Sequence, residues 1–153
     1  MKKNISIILV IIWMLIIFIM SSFNSSDSSN QSNYIVNIIS EIFNINNLNI
    51  LNLIIRKTAH FTEYLILGIL IYNCTLNYNQ NTITAVLICI LYAFSDEIHQ
   101  IFVPGRTFKF LDILIDSTGS ILGILIYNYI LKKINYKKHI NTINNAQKTR
   151  KNS

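Results

Sequence analysis

The sequence predicts an all-α, polytopic membrane protein with four transmembrane helices and an amphipathic extracytoplasmic helix between the first two. Three observations predict this fold class. Of the 153 residues, 52% are hydrophobic and only 13% are charged, whereas an ordinary soluble domain carries about 25% charged residues. Four stretches are long and apolar enough to span a bilayer, which takes roughly 17–25 residues. Finally, most of the basic residues lie at the two ends of the chain.

The same composition excludes two other classes of protein. Disorder requires low hydrophobicity together with a high net charge. A disulfide scaffold requires more than the two cysteines present here. The length suits a single domain. We therefore expect one membrane domain over residues 1–131 and a basic cytoplasmic tail over residues 132–153.

The four predicted spans cover about residues 5–23, 58–76, 83–102 and 110–131. Lys2 and Lys3 before the first apolar run also fit a cleaved signal peptide. A retained helix is favoured, because three further spans follow and no clean small-x-small cleavage site is present. The uncharged segment 77–82 suits a tight helical hairpin between the second and third spans.

The basic residues predict the direction of these spans. They precede the first span and follow the last, at Lys2, Lys3, Lys132, Lys133, Lys137, Lys138, Lys148, Arg150 and Lys151. Loops rich in Lys and Arg remain in the cytoplasm, so both termini are expected there. The net charge of +6 is then mainly a topology signal, with contact to the anionic heads of the surrounding bilayer lipids. A nucleic-acid partner is the disfavoured alternative.

The segment between the first two spans has a different character. Residues 24–33 are rich in Ser and Asn, which predicts an extracytoplasmic loop. Between residues 34 and 55 the apolar residues recur at gaps of three and four. This spacing predicts an amphipathic helix, lying at the outer interface or over the bundle as a lid.

An ionisable side chain inside a membrane costs free energy, so such a residue usually belongs to a functional site. Five of the seven acidic residues fall with other polar residues in three patches. The patches are Arg56, His60 and Glu63 on the second span, Asp96, Glu97, His99 and Gln100 on the third, and Asp112 and Asp116 on the fourth. The predicted topology brings all three into the outer leaflet. There we expect the carboxylates to pair with Arg56, Lys57, Arg106 and Lys109.

At these residues the sequence resembles the VanZ-like family of bacterial integral membrane proteins. The resemblance rests on RKTAHFTEYLILGIL at 56–70, FSDEIHQIFVPGRTFKFLDILIDSTGSILG at 94–123, and a first span that contains Trp13 and ends in FIMSSF. It places these residues at motif positions: Arg56, His60, Glu63, Asp96, Glu97, Gln100, Arg106 and Asp112. Asp116 stands where many members are expected to have Asn. The resemblance implies the bacterial plasma membrane and, from the protein that gave the family its name, a link to low-level resistance to the glycopeptide teicoplanin.

Three functions fit the three patches. In the first, the polar residues only hold the helices together by hydrogen bonds. In the second, which we favour, an outward-facing pocket binds or shields an anionic lipid or cell-wall precursor head group, since Arg suits bidentate contact with phosphate. Its expected binding residues are Arg56, His60, Glu63, Glu97, Gln100, Arg106, Asp112 and Asp116.

The third function is catalysis. An acid/base or metal-assisted hydrolase acting on a lipid-linked envelope precursor would use His60, Glu63, Asp96, Glu97 and Asp112, with Asp116 and His99 as further candidate metal ligands. The sequence contains no HExxH motif, nucleophile elbow or Cys-based metal pair. We therefore favour a non-enzymatic role and assign no metal ligand and no cofactor.

Small residues mark one helix contact. Gly119 and Gly123 form a GxxxG motif on the fourth span, and Gly68 lies on the second. Such motifs permit close approach of helix backbones. Packing within the monomer is the favoured interpretation, and a seam in a homo-oligomer is the alternative.

Overall fold

The computed structural model describes residues 2–151, with the side chains of residues 3–24, 32–139 and 141. The predicted all-α class is confirmed, because these residues form five α-helices and no strand. The helices are α1 (Lys2–Ser21), α2 (Ser25–Phe43), α3 (Leu48–Asn77), α4 (Thr82–Gln100) and α5 (Phe110–Lys151). Helix α5 continues beyond the predicted end of its span at residue 131 and through the basic tail.

Three helices of the described chain are long and apolar enough to cross a membrane by themselves. The candidate spans are Lys3–Ser21, Thr82–Gln100 and Phe110–His139. Helix α3 meets the same condition only together with residues Ser32–Phe43 of α2, from which it is bent by 119°. The described residues therefore contain three candidate spans, or up to four if the bent pair is one of them.

The bend between α2 and α3 corrects the prediction of one continuous amphipathic helix over residues 34–55. Helix α2 ends at Phe43 because Asn44 adopts a left-handed backbone conformation with a φ of 51°, which Asn tolerates better than most residues. The next helix begins beyond Asn47, whose side chain accepts a hydrogen bond from the Ile50 backbone N–H at 3.2 Å. The Asn residues that interrupt the apolar pattern thus end one helix and begin another.

The predicted loop over residues 24–33 is also wrong, since the backbone is helical from Ser25 onward. Ser and Asn are weak helix formers but, unlike Pro, they do not break a helix. This helix packs on the start of α3. Ser32 Oγ donates to Asn52 Oδ1 at 2.9 Å, Asn52 Nδ2 donates to Asn33 Oδ1 at 2.8 Å, and Val36 is buried.

Helix α3 lies at the centre of the bundle. It contacts α1, α2, α4 and α5, and its buried residues include Tyr64, Leu67 and Ile71. The core around them is completed by Ile17 of α1, Ala85, Cys89 and Ala93 of α4, and Ile113 and Ile124 of α5. Many Ile and Leu residues of α1, α4 and α5 remain exposed, as expected of helices that face lipid rather than water.

Close contact between α3 and α5 depends on three glycines. A Cβ atom built on Gly119 would lie 2.5 Å from the Phe61 carbonyl oxygen. Similar atoms on Gly68 and Gly123 would overlap the backbones of Ser120 and Leu65. The prediction that these glycines pack within the monomer is therefore confirmed.

Candidate functional site

The structure brings the three polar patches together at one end of the bundle. The start of α5 and the end of α4 both pack against the N-terminal half of α3, and a cavity of about 450 Å³ opens between them. The cavity is lined by Asn33, Asn49, Asn52, Leu53, Arg56, Lys57, His60, Gln100, Gly105, Arg106, Thr107, Lys109, Asp112, Ile115 and Asp116. Below, this space is called the polar cavity.

The loop between α4 and α5 forms one wall of the polar cavity. Gly105 has a φ of 75°, a conformation that residues with a Cβ rarely adopt. The Arg106 backbone N–H donates to the Val103 carbonyl at 3.1 Å, and Arg106 Nε donates to the Phe23 carbonyl at 3.0 Å. The loop therefore fixes the guanidinium group of Arg106 between the end of α1 and the cavity.

Glu97 anchors the other end of this loop. Its side chain is 1% exposed, and its Oε1 atom accepts a hydrogen bond from the Lys109 backbone N–H at 2.5 Å. Lys109 directly precedes α5, so this bond joins the end of α4 to the beginning of α5. A carboxylate near the N-terminus of a helix also interacts favourably with the helix dipole.

The expected mutual pairing of acids and bases is found at only one place in the described chain. Lys57 Nζ forms an ion pair with Asp112 Oδ1. The other salt bridge that the described residues form joins His60 Nδ1 to Glu63 Oε2 at 3.8 Å. The other acidic and basic side chains do not pair because they lie in different parts of the bundle. The basic side chains line the cavity, whereas Asp96 and Glu97 are buried between helices.

Asp96 lies beneath the cavity, at the junction of α1 and α4. It is 3% exposed, and its Oδ2 atom accepts hydrogen bonds from Ser21 Oγ at 2.9 Å and from Gln100 Nε2 at 3.2 Å. Its Oδ1 atom has no hydrogen-bond partner among the described residues. These contacts hold the carboxylate in one orientation, with one oxygen free.

Three side chains of this region offer ligand atoms for a metal ion. The three ligand atoms, a ring nitrogen of His60 and one carboxylate oxygen each of Asp96 and Asp116, all lie within 4.8 Å of one another. These residues come from α3, α4 and α5, so the cluster exists only when the three helices are assembled.

Four basic side chains line the polar cavity, namely those of Arg56, Lys57, Arg106 and Lys109. Burial lowers the pKa of Arg106 from its ordinary value, and the nearby charge of Arg56 lowers this pKa further. Asp96, Glu97 and Glu63 act in the opposite direction. Because Arg keeps its proton in proteins, the lowered pKa marks a cation that gains stability when an anion binds beside it.

Most of the predicted binding residues share this cavity. Six of the eight line it: Arg56, His60, Gln100, Arg106, Asp112 and Asp116. Glu63 and Glu97 do not, and neither does Asp96. His99, the other candidate metal ligand, stacks on Phe18 with ring centroids 4.2 Å apart and contacts Ser22 at 3.0 Å, so it belongs to the contact between α1 and α4.

Sequence reasoning missed several participants. Ser21 binds Asp96, the Phe23 carbonyl binds Arg106, and Trp13 Nε1 donates to the Glu63 carbonyl at 2.9 Å. All three lie on or just after α1, in the stretch with Trp13 and FIMSSF that was noted without a role. The amides of Asn33, Asn49 and Asn52 also line the cavity; in a chain this rich in Asn, no sequence signal separated them from the rest.

Comparison with known proteins adds one finding. A family model described as VanZ/LLP1 matches residues 6–132 of the chain. Comparison with curated proteins and with solved structures gives no match. The matched range includes every residue that lines the polar cavity.

Proposed function

The chain belongs to the VanZ/LLP1 family, and from this premise we propose that its polar cavity binds the anionic head group of an envelope lipid or cell-wall precursor. Binding or shielding of that group lowers the sensitivity of the cell to glycopeptides such as teicoplanin. The observation that carries the proposal is the set of basic side chains around the cavity. Arg56, Arg106 and Lys109 line it without a salt bridge to any described residue.

A phosphate-bearing ligand suits these cations. Arg56 and Arg106 present planar guanidinium groups that can contact two phosphate oxygens at once. Lys109 adds a compact charge, whereas the charge of Lys57 is already balanced by Asp112. Since the cavity lies among helices rather than in open water, the attraction between these cations and an anion is screened less than at a water-exposed surface.

Neutral polar groups in the same cavity give it the means to recognise more than charge. Gln100, Asn49, Asn52 and Thr107 line it, and amide and hydroxyl groups both donate and accept hydrogen bonds. Sugar hydroxyls and peptide groups of a cell-wall precursor offer matching partners. The cavity volume of about 450 Å³ falls within the range of roughly 300–1,000 Å³ typical of small-ligand sites.

The orientation in the membrane is part of the proposal. The C-terminal part of α3, over residues 58–76, acts as the fourth span, because it packs among three helices that are apolar enough to cross by themselves. With both termini in the cytoplasm, the polar cavity opens on the outer side of the plasma membrane. Helix α2 lies at that interface. Reporter fusions that place the C-terminus outside the cell would overturn this orientation.

Mass spectrometry of gently purified protein tests the binding proposal. We expect a phosphate-bearing lipid or precursor to co-purify with the wild type and to be lost from Arg106→Ala. The matched control is Lys133→Ala, which removes an exposed cation of α5 that does not line the cavity. An equal lipid signal in the wild type and in Arg106→Ala would contradict the proposal, as would equal loss in both variants.

A second candidate function is hydrolysis of a lipid-linked envelope precursor. The observation that favours it is the position of His60 beside Glu63 and close to Asp96 and Asp116. Glu63 lies beside the imidazole, His60 acts as general acid or base, and the nearby carboxylates of Asp96 and Asp116 complete the site. Release of phosphate from a purified lipid-linked precursor by the wild type, but not by His60→Gln, would establish this function.

A further inference from the structure

Three residues from three helices converge beneath the polar cavity: His60 of α3, Asp96 of α4 and Asp116 of α5. One nitrogen or oxygen atom of each lies within 4.8 Å of the corresponding atoms of the other two. We propose that this cluster, below called the triad, is a binding site for a divalent transition-metal cation such as Zn²⁺ or Mn²⁺. The assignment goes beyond head-group binding and rests on separate observations.

The first of these observations is the lack of partners for buried polar atoms. Asp96 and Asp116 are 3% and 2% exposed. Asp96 Oδ1, Asp116 Oδ1 and His60 Nδ1 are all buried and find no hydrogen-bond partner among the described residues. A buried carboxylate without compensation is strongly destabilising. A cation held between these groups supplies the missing interaction for all of them at once.

No basic side chain of the described region forms a salt bridge with Asp96 or Asp116. The salt bridges of the described residues join Lys57 to Asp112 and His60 to Glu63, and neither includes Asp96 or Asp116. Arg106 of the cavity wall instead donates its Nε–H to the Phe23 carbonyl. The triad is therefore an acidic cluster that the surrounding cations leave open.

The surroundings of Asp96 are those of a metal ligand. Ser21 and Gln100 both donate to Oδ2, so the carboxylate is oriented while Oδ1 stays free. In metal sites, hydrogen bonds of this kind fix the orientation of the ligands. Glu63 Oε2 lies 3.8 Å from His60 Nδ1, too far to satisfy that nitrogen by a hydrogen bond.

The donor set favours some cations over others. One imidazole nitrogen and two carboxylate oxygens suit Zn²⁺, with bonds of about 2.0–2.2 Å, and also Mn²⁺. They suit Ca²⁺ less, which takes roughly 6–8 oxygen ligands. Ligands of a tetrahedral Zn²⁺ lie about 3.4 Å apart at these bond lengths, and the ligand atoms of the triad lie no more than 4.8 Å apart, so binding requires only a small contraction.

The site has an open side. His60 and Asp116 line the polar cavity, whereas Asp96 lies behind it. A cation held by the triad therefore keeps coordination positions that face the cavity, as catalytic metal sites do. If the head-group proposal is correct, those positions take a phosphate oxygen of the bound ligand, and this last step alone depends on it.

Titration with Mn²⁺ alone tests the site. Full-length protein in detergent is stripped with a chelator, and free Mn²⁺ is followed by its electron paramagnetic resonance signal. We expect one Mn²⁺ per chain in the wild type and an affinity at least about tenfold weaker in Asp116→Asn. The control Glu41→Gln, which removes an exposed carboxylate of α2, should bind as the wild type does. A wild type that binds no stoichiometric Mn²⁺, or an Asp116→Asn variant with wild-type affinity, would overturn the proposal.

A second variant guards against misfolding of Asp116→Asn. His60→Cys replaces the imidazole with a thiolate, which prefers softer metals. We expect this variant to bind the same number of Cd²⁺ ions per chain as the wild type, which carries the same Cys74 and Cys89, but more tightly and with a new sulfur-to-cadmium absorption band. The absence of that band would count against the site. Because these titrations contain no phosphate or lipid, their failure leaves the mass-spectrometric test of head-group binding independent.

Discussion

Ser21 Oγ donates a hydrogen bond of 2.9 Å to Asp96 Oδ2 across 75 positions of sequence. The serine is fully buried at the end of α1, and the aspartate is buried near the end of α4. This bond joins two helices and also determines which oxygen of Asp96 is free. Ser21, which does not line the polar cavity, thereby positions one carboxylate of the triad.

Removal of this hydroxyl should weaken metal binding more than it weakens the fold. In Ser21→Ala, Asp96 loses one of the two bonds that orient it, and we expect about tenfold weaker Mn²⁺ binding, at the lower end of the effect of removing a partner of a metal ligand. The neighbouring variant Ser22→Ala is the control, because Ser22 Oγ contacts the Phe18 carbonyl and His99 instead. Equal Mn²⁺ affinity in the two variants would contradict this positioning role.

The bond from Lys109 N–H to Glu97 predicts different effects for two substitutions at the same site. Glu97→Ala leaves a backbone donor without its acceptor, which should lower the free energy of unfolding by about 1–3 kcal/mol. Glu97→Gln keeps a side-chain oxygen and should lower it by less than about 1 kcal/mol. Unfolding in mixed micelles by titration with SDS measures both. A Gln variant as unstable as the Ala variant would mean that the carboxylate charge, rather than the hydrogen bond, stabilises the loop.

Contact between α3 and α5 should tolerate no methyl group at Gly123. A Cβ atom there would overlap the Leu65 carbonyl group, so the two helices must separate. We expect Gly123→Ala to lower the free energy of unfolding by about 1–3 kcal/mol, although Ala is the better helix former. Thr118→Ala, at an exposed position on the same helix, should have little effect. A stabilised Gly123→Ala variant would show that α5 does not approach α3 this closely.

The ion pair between Lys57 and Asp112 should contribute modestly to stability. The two side chains are 35% and 29% exposed, so solvent screens part of the attraction. A double-mutant cycle of Lys57→Met and Asp112→Asn should give a coupling free energy of about 0.5–1 kcal/mol. This coupling should fall at high salt, because partly exposed pairs are screened. Strictly additive effects of the two substitutions would show that the pair contributes nothing.

Composition and periodicity were sufficient for the helical class and for the approximate positions of α1, α4 and the start of α5. Long apolar runs without Pro have few alternatives in a membrane, since every backbone group must be paired within its own segment. The same reasoning failed between residues 24 and 55. There the pattern is helical in two pieces, and the break depends on the backbone conformation of Asn44 and the capping bond of Asn47, which periodicity does not report.

The sequence predicted most of the residues that form the candidate site, but only part of how they are arranged. Arg56, His60, Arg106, Asp112 and Asp116 were expected together, and all of them line the polar cavity. The expectation that the acids would neutralise the bases by pairing was wrong for Asp96 and Glu97. One oxygen of each carboxylate accepts from uncharged donors, namely Ser21 and Gln100 for Asp96 and the Lys109 backbone for Glu97, and donors of that kind cannot be read from charge counts.

The sequence by itself determined that this chain is a bundle of apolar helices with its polar residues grouped at a few positions. That much follows from local physics, since hydrophobicity and helical spacing are properties of short segments. Only the tertiary structure decided which acids are paired, which are buried without a partner, and which face the cavity. Those distinctions depend on contacts between residues as far apart as Ser21 and Asp96, which no short segment of the sequence contains.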